Sequence, residues 1–552
     1  MNNAIGIQRK VVTLTVILGV TINVMTQSIA PARAEQTDGE TWKGTSVSET
    51  VSGGSEMVKP SEWVDLIYCM PDEINGMFPI DSMNTNDFDI WKQDGTADIQ
   101  KLLEAYETLK NKPEKEFTAD DYIIIGAVDY IQKKYESALT AYTTALNLAE
   151  HNNLSPHMIA QLLILNGDIL DRLDRKKDGI AAYDEVVRRF SRDTSFDILE
   201  LVARALFYKG FALGQLGRQE DEIAVYDEIV RRFDAGGTSC IRINVALALY
   251  NKGVVLGELD RPEEEIAIYD EVVRRFSEES SPRIRTLIVE SLYNKGIALG
   301  QLDRLEDEIA VYDEIVSRFS REKLPEISAL VAEALYNKGM VLGQLGRPEE
   351  EIVVYDEIVR CFGASAVPGI RLQVASAFVA KGFVLGQLGR SKDQIAAYNE
   401  VIGRFGGDNA SEMHEQVATA LNNKGYAIGI NGRYSEALQF YREAERYTEG
   451  TSQTTLAVLL GNKSIALGFL GRYEESFAIH KQLETCYGQE NDPEIREVLA
   501  EELYHHGFFL SEQGRKDEAY AIYDQVETRF SKDDTPDVLK WVEQARIKKS
   551  AL

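Results

Sequence analysis

Cysteine, histidine and proline are scarce in this sequence of 552 residues, which has 4 Cys, 6 His and 13 Pro. The cysteines form no CxxC pair and show no metal-ligand spacing, and the histidines form no HExxH motif. Glycine-rich phosphate-binding loops and the GxSxG nucleophile motif are also missing from the sequence. The sequence therefore predicts no catalytic, cofactor-binding or metal site, and we expect a protein that is not an enzyme.

Basic residues are fewer than acidic ones, with 60 Lys and Arg against 89 Asp and Glu, a net charge of −29. An acidic surface repels phosphate backbones, so we expect no nucleic-acid partner. With 44% apolar and 27% charged residues, the composition is typical of a folded, soluble protein.

Long apolar runs are missing beyond the N-terminus. Arg9 and Lys10 precede the mostly apolar run 11–24, and an Ala-x-Ala signature ends at Ala34. This order is typical of a signal peptide, and the run is short for a bilayer core of about 30 Å. We predict a signal peptide over 1–34, cleaved after Ala34, and a periplasmic or secreted protein without a membrane span. An uncleaved signal anchor is the alternative.

A glycine recurs every 43 residues through the centre of the chain, and we call it the marker glycine. The series is Gly167, Gly210, Gly253, Gly296, Gly339, Gly382 and Gly425, and it extends to Gly126, to Ser464 in place of glycine, and to Gly507. Self-similarity at a fixed period is typical of repeat architectures. The sequence predicts ten repeats over 118–531, after a flexible leader at 35–59 and a non-repeat cap at 60–117. A capping helix at 532–552 follows them.

Each repeat has the pattern of two helices joined by a tight turn. Pro282 suits the first position of a helix, and apolar residues then recur at helical spacing as far as Leu302. A second helix is predicted over 305–318, with Ile309 and Tyr312 pointing inward. Glycines that suit a left-handed C-cap hold the turn in other repeats, at Gly217, Gly346, Gly389, Gly432, Gly471 and Gly514.

The segment 425–441 resembles the tetratricopeptide repeat. The marker Gly425, the turn Gly432, the small Ala437 and the aromatic Tyr441 fit the pattern of that family. The resemblance covers about three quarters of the chain and implies an all-α, right-handed solenoid of helix-turn-helix repeats. It also implies that the first helices line a concave face that binds a peptide segment of a partner protein. These repeats exceed the usual length of about 34 residues, and the excess falls on the first helix or its approach.

The first helices carry ladders of tyrosine, asparagine, glutamine and apolar residues. Asn and Gln can both donate to and accept from an extended peptide, and Tyr offers a large contact area with a polar tip. The predicted peptide-binding residues are Tyr250, Asn251, Tyr293, Asn294, Ile297, Gln301, Tyr336, Asn337, Met340 and Gln344. The alternative is that these ladders pack neighbouring repeats together. Glycines at Gly214, Gly257, Gly300 and Gly343 either admit a ligand backbone or serve the same packing.

Two charged ladders occupy positions where the family has other residues. The glutamates are Glu222, Glu265, Glu308 and Glu351, and the lysines beside the marker glycines are Lys209, Lys252, Lys295 and Lys338. We predict that each lysine bridges to the glutamate of its own repeat. Independent exposed charges, which contribute little to stability, are the alternative.

The four cysteines do not have the spacing of a disulfide framework. Cys240, Cys361 and Cys486 are separated by two or three repeats each, which exceeds the reach of a disulfide. Cys69 precedes the repeats, so a bond to it stays open. We predict free, buried thiols.

The sequence thus favours a non-catalytic scaffold that binds a protein segment in its groove. A structural or assembly subunit of an envelope or secretion complex, acting through an acidic convex face, is the first alternative. An enzyme with its site in the segment 60–113 is the second. Neither the partner nor the oligomeric state follows from the sequence.

Overall fold

The computed structural model describes residues 97–149, 154–233, 237–408, 410–447 and 450–552. This described part contains 22 α-helices and no strand. The helices are α1 Ala97–Leu109, α2 Ala119–Ile131, α3 Tyr135–Asn147, α4 Pro156–Arg172, α5 Lys176–Phe190, α6 Phe196–Gln215, α7 Gln219–Phe233, α8 Ser239–Glu258, α9 Pro262–Phe276, α10 Pro282–Gln301, α11 Leu305–Phe319, α12 Pro325–Gln344, α13 Pro348–Phe362, α14 Pro368–Gln387, α15 Ser391–Phe405, α16 Ser411–Gly429, α17 Tyr434–Ala444, α18 Gln453–Phe469, α19 Tyr473–Tyr487, α20 Pro493–Glu512, α21 Lys516–Phe530 and α22 Pro536–Ser550.

Helices α2 to α21 form successive pairs, and the predicted all-α repeat solenoid is confirmed. In each pair the first helix has an even number and the second an odd number. The first helices α6, α8, α10, α12 and α14 are 20 residues long, whereas the second helices α7, α9, α11, α13 and α15 have 15 residues. The extra residues of these repeats therefore lie in the first helix.

The chain divides into two compact units. The N-terminal unit comprises 30–294 and the C-terminal unit 295–552, with the division inside α10. In the N-terminal unit α1 packs on α2 through Leu102 and Val128, among others. The predicted signal peptide, the flexible leader and residues 60–96 of the cap lie outside the described residues.

The turn between the two helices has the predicted left-handed residue. Gly217 has φ +70°, Gly346 +68° and Gly389 +70°, values that favour glycine. Asp303 occupies the same position without glycine, at φ 56°. The prediction of a left-handed C-cap is therefore confirmed at these turns.

The marker glycines make room for a tyrosine ring of the second helix. A Cβ atom on Gly210 would lie 2.7 Å from Cε1 of Tyr226, and one on Gly296 would lie 2.6 Å from Cε1 of Tyr312. Both tyrosines are completely buried. The exception supports this relation, because Ser464 replaces glycine in the repeat that has His480 in place of the tyrosine. The marker glycine is therefore a packing residue.

Several lysines at the lysine-ladder position join their helix to the repeat before it. Nζ of Lys209 on α6 lies 2.6 Å from Oδ1 of Asp184 on α5. Nζ of Lys252 on α8 lies 2.6 Å from Oδ1 of Asp227 on α7. In the C-terminal unit the same pairing joins Lys338 to Asp313, Lys381 to Asp356 and Lys549 to Asp524. The predicted bridge to glutamate is wrong for these lysines, because their ammonium groups reach the second helix of the preceding pair.

Removing one such ion pair is expected to have a small, coupled effect. A double-mutant cycle of Lys252→Ala and Asp227→Ala should give a coupling energy of about 0.2–1 kcal/mol, because both groups are partly exposed. Native-state hydrogen exchange of α7 and α8 measures it. The matched cycle of Lys252→Ala with Glu265→Gln should be additive. Coupling to Glu265 with additivity for Asp227 would contradict the observed pairing.

The cysteines that the structure describes are exposed. Cys240, Cys361 and Cys486 all lie on the surface, and Cys361 and Cys486 are free thiols. The prediction of buried thiols is wrong because these residues fall on the outer sides of helix ends instead of the core-facing positions. Cys69 lies outside the described residues.

Two described helices, α8 and α14, are long and apolar enough to cross a membrane by length and composition. The apolar windows of α8 and α14 are 44% and 61% buried within the protein. By this criterion, the absence of long apolar runs beyond the N-terminus does not hold for these two helices. Helices in the core of a helical array are apolar because their surfaces are buried against other helices, away from water, and they meet the same criterion as membrane-spanning helices.

Candidate binding face on the first helices

The predicted anchor tyrosines lie in the packing of the helices. Tyr293 and Tyr336 are only 9% and 7% exposed, and Tyr250 is half-buried. The ring of Tyr336 lies 5.8 Å from that of Tyr355, between centroids. The burial of Tyr293 and Tyr336 favours the packing alternative for these two rings, and for Tyr336 the neighbouring ring belongs to the second helix α13.

The asparagine ladder links neighbouring repeats. Nδ2 of Asn294 donates to the hydroxyl oxygen of Tyr250 at 3.4 Å and to that of Tyr269 at 3.3 Å. Asn251 is hydrogen-bonded in the same way to Tyr226. Asn251, Asn294 and Asn337 are all half-buried. The amides of Asn251 and Asn294 are thus engaged within the protein, in line with the packing alternative for this ladder.

The glutamate ladder is buried, which the sequence patterns did not predict. Glu308 is 7% exposed and Glu351 is 2% exposed. The hydroxyl of Tyr312 donates to Oε1 of Glu308 at 3.1 Å, and that of Tyr355 donates to Oε1 of Glu351 at 3.2 Å. A Cβ atom on Gly300 would lie 2.7 Å from Oε2 of Glu308. The second glycine ladder therefore accommodates carboxyl groups of its own repeats.

Burial favours the neutral form of these carboxyl groups. Desolvation raises the pKa of Glu222, Glu265 and Glu308 to about 7, against the hydrogen bond from the tyrosine, which lowers it. The pKa of Glu351 rises to about 8 for the same reason. In the sequence, the signal was a glutamate where the family has a small residue, eight positions after a glycine. The four repeats with a buried ladder glutamate thus contain a hydrogen bond from tyrosine to carboxyl group. Asn251 and Asn294 of the following repeats also bond the hydroxyl groups of Tyr226 and Tyr269.

A stripe of accessible apolar side chains remains on the first helices. Its members directly follow the marker glycines, and we call them the apolar stripe: Phe211 and Val254 in the N-terminal unit, and Ile297, Met340, Phe383 and Tyr426 in the C-terminal unit. Phe211 is 37% exposed and Tyr426 is 52% exposed, and the other four are half-buried. Repeated apolar exposure on consecutive helices is typical of interaction surfaces.

The remaining predicted residues lie at the end of the first helices. Gln301 is the last residue of α10 and is exposed, and Gln344 is the last residue of α12 and is half-buried. Of the predicted set, Ile297, Met340, Gln301 and Gln344 therefore offer surface to a ligand. Among the described residues no group of three or more His, Cys, Asp or Glu is arranged to hold a metal ion.

Two models of the tetratricopeptide repeat family match the chain. One covers residues 164–237, which include α5, α6 and α7, and the other covers residues 332–360 in α12 and α13. Both matched segments consist of the helix pairs described above. No curated protein matches the chain.

Several solved structures are similar to the chain. The apo form of RapI is 12% identical, with a TM-score of 0.41, and the match covers 70% of this chain and 96% of that one. The apo form of the quorum sensor NprR from B. thuringiensis is 14% identical over 68% of this chain and 97% of that chain, with a TM-score of 0.35. A thermophilic tetratricopeptide repeat protein of Thermus thermophilus is 19% identical over 39% and 99% of the two chains, at a TM-score of 0.28.

Proposed function

We propose that this chain, in which two segments match tetratricopeptide repeat models, is a non-catalytic scaffold that binds a segment of a partner protein along the face of its first helices. The fold is in general an interaction scaffold. The observation that carries the proposal is the apolar stripe, because it exposes apolar area at the same position of successive first helices. A segment lying along the first helices of the C-terminal unit would cover Ile297, Met340, Phe383 and Tyr426 and remove their apolar area from water.

Within this proposal, Ile297 and Met340 provide the apolar contacts of the central repeats. Gln301 and Gln344 lie one helical turn beyond them and offer amide groups for hydrogen bonds to the ligand backbone. In the C-terminal unit, Asn337 is half-buried on the same helix as Met340 and Gln344, whereas the buried Tyr336 supports this helix from within. We further propose that the protein is exported and cleaved after Ala34. N-terminal sequencing of the mature protein would contradict this if the sequence did not begin at Glu35.

Site-specific photo-cross-linking distinguishes the first-helix face from the outer face. A photoreactive phenylalanine replaces Met340 on α12 in one variant and Val353 on α13 in a matched control. Val353 is 65% exposed and lies on a second helix. Each variant is irradiated in envelope and soluble fractions of the source organism. We expect a discrete cross-linked partner from position 340 and none from position 353.

The opposite pattern would favour the structural subunit. A partner linked only through position 353 would place the contact on the second helices and contradict the proposed face. Thermal unfolding of both variants checks that the substitutions leave the fold intact.

A further inference from the structure

Helices α16 and α18, which are first helices of two repeats in the C-terminal unit, expose aromatic and apolar side chains. Tyr426 on α16 is 52% exposed, Ile430 just after it is 63% exposed, and Phe469 at the end of α18 is 42% exposed. Phe469 stacks on Tyr434, with ring centroids 4.7 Å apart and an interplanar angle of 10°. Large apolar side chains that cluster on a surface mark an interaction site more often than scattered ones do.

Three glutamates line one face of α20 beside this patch. Glu494, Glu497 and Glu501 are three and four residues apart, a spacing that aligns side chains on a helix. In the part of the chain that the structure describes, none of the three has an ion pair within 4 Å. Desolvation raises the pKa of Glu494 to about 8 and that of Glu497 and Glu501 to about 7. Burial thus disfavours their ionised form, and a cation placed beside them would favour it.

The aromatic patch and the carboxyl groups adjoin each other. The charges of Glu501 and Glu497 raise the pKa of the Tyr426 hydroxyl, after desolvation. The ring of His505, one turn beyond Glu501, lies 6.2 Å from Phe469. The same ring lies 5.5 Å from that of Trp541 on α22. We call this the acidic–aromatic surface, and it comprises Tyr426, Phe469, Glu497, Glu501, His505 and Trp541.

One ammonium group of the protein already occupies an edge of this surface. Nζ of Lys540 lies 4.9 Å from the centroid of the Trp541 ring. Its charge lowers the pKa of both Glu497 and Glu501. The ammonium group of Lys540 is therefore attracted both to an aromatic ring and to carboxyl groups. This one cation faces two acidic groups, Glu497 and Glu501.

We propose that the acidic–aromatic surface binds a cationic segment of the partner protein, in which Lys or Arg residues alternate with apolar residues. This inference rests on the proposed function and specifies the chemistry of the ligand. The cationic groups would neutralise Glu497 and Glu501, and the apolar side chains would cover Tyr426 and Phe469. An anionic segment would meet like charge, and a neutral one would leave the carboxyl groups uncompensated.

The test uses a short fluorescein-labelled peptide of alternating lysine and leucine, and its counterpart with glutamate in place of lysine. Fluorescence anisotropy measures the affinity of the full-length mature protein for each peptide. We expect the lysine peptide to bind in a salt-sensitive manner and the glutamate peptide not to bind. The double variant Glu497→Gln/Glu501→Gln should lose about tenfold or more in affinity.

Two further variants separate this site from general attraction to an acidic protein. Glu263→Gln/Glu349→Gln changes the net charge by the same amount at exposed positions elsewhere and should alter the affinity less than about twofold. Lys540→Ala removes the internal cation and should tighten binding by about threefold. The opposite signs of the Glu497/Glu501 and Lys540 effects would not result from partial unfolding.

Several outcomes would overturn the inference. Equal losses of affinity in the Glu497/Glu501 variant and in its charge-matched control would show that net charge alone causes binding. If the lysine peptide did not bind at all, the proposed cationic ligand would be contradicted. The photo-cross-link at position 340 tests the proposed function separately, because it uses the natural partner and lies in a different repeat. A cross-link without binding of the lysine peptide would contradict this inference and leave the proposed function in place. If neither the cross-link nor the peptide complex formed, both the inference and the proposed function would be contradicted.

Discussion

Tyr312→Ala is expected to lower the free energy of local unfolding in the C-terminal unit by about 3–5 kcal/mol. The side chain of Tyr312 is completely buried. Its ring fills the space that Gly296 leaves on α10, and its hydroxyl donates to Glu308 at 3.1 Å. Truncation leaves a cavity between two helices and removes the hydrogen-bond donor of a buried carboxyl group. Both effects have the same sign.

Native-state hydrogen exchange of α10 and α11 measures this loss, because long repeat arrays do not unfold as a single unit. Tyr312→Phe retains the ring and should cost only about 1 kcal/mol, the value of one hydrogen bond. Tyr520→Ala provides a control at a half-exposed tyrosine on the second helix α21 and should cost less than about 0.5 kcal/mol. Equal effects of Tyr312→Ala and Tyr520→Ala would contradict the packing of the ring against the marker glycine.

Stability is expected to fall as the pH rises from about 4.5 to about 8, because of the buried glutamates. The pKa of Glu308 is about 7 and that of Glu351 about 8 in the folded protein, against an ordinary value of 4.5. The folded state thus binds more protons than the unfolded state between these values. Stability from the neutral carboxyl groups is complete below pH 4.5 and is lost as the pH passes the folded values.

Glutamine at these positions removes the titration and keeps the shape of the side chain. The chain contains a precedent, since Gln394 occupies the same place and is hydrogen-bonded to Tyr398. One pKa unit corresponds to about 1.4 kcal/mol, so the raised pKa values of Glu308 and Glu351 set upper limits of about 3 and 5 kcal/mol. We expect Glu308→Gln and Glu351→Gln each to stabilise the protein by about 1–3 kcal/mol at pH 8.5. At pH 4.5 we expect almost no difference. Thermal unfolding of wild type and variants across this range measures the effect.

The matched substitution Glu349→Gln changes an exposed glutamate next to the buried ladder. It should leave the pH dependence unchanged. A stability difference between Glu351→Gln and wild type that is the same at pH 4.5 and at pH 8.5 would contradict the protonation of the buried carboxyl group.

Much of the fold followed from the sequence, because it depends on local signals that repeat. The second helix predicted over 305–318 is observed as Leu305–Phe319, with Ile309 and Tyr312 buried as expected. Pro282 begins its helix as predicted. Apolar periodicity and a turn residue with positive φ determine these features, and each can be recognised within one repeat.

The candidate site was less predictable, because the same regularity results from packing and from binding. Tyr336 and Asn294 recur like ligand-binding residues, yet contacts between helices account for their recurrence. The sequence also does not show which helix lies next to a given lysine. Lys252 therefore pairs with Asp227 of the preceding repeat instead of Glu265 of its own. Exposure on the assembled first helices, as at Met340 and Tyr426, becomes visible only in the structure.

The most direct test of the proposed scaffold function is a hydrogen-exchange footprint with the partner that the cross-link at position 340 recovers. Exchange of the mature protein is compared with and without this partner. Binding along the first helices predicts protection in α12, α14 and α16, and little change in α13, α15 and α17. Protection confined to the second helices would contradict the proposed face and assign the interaction to the outer surface of the array.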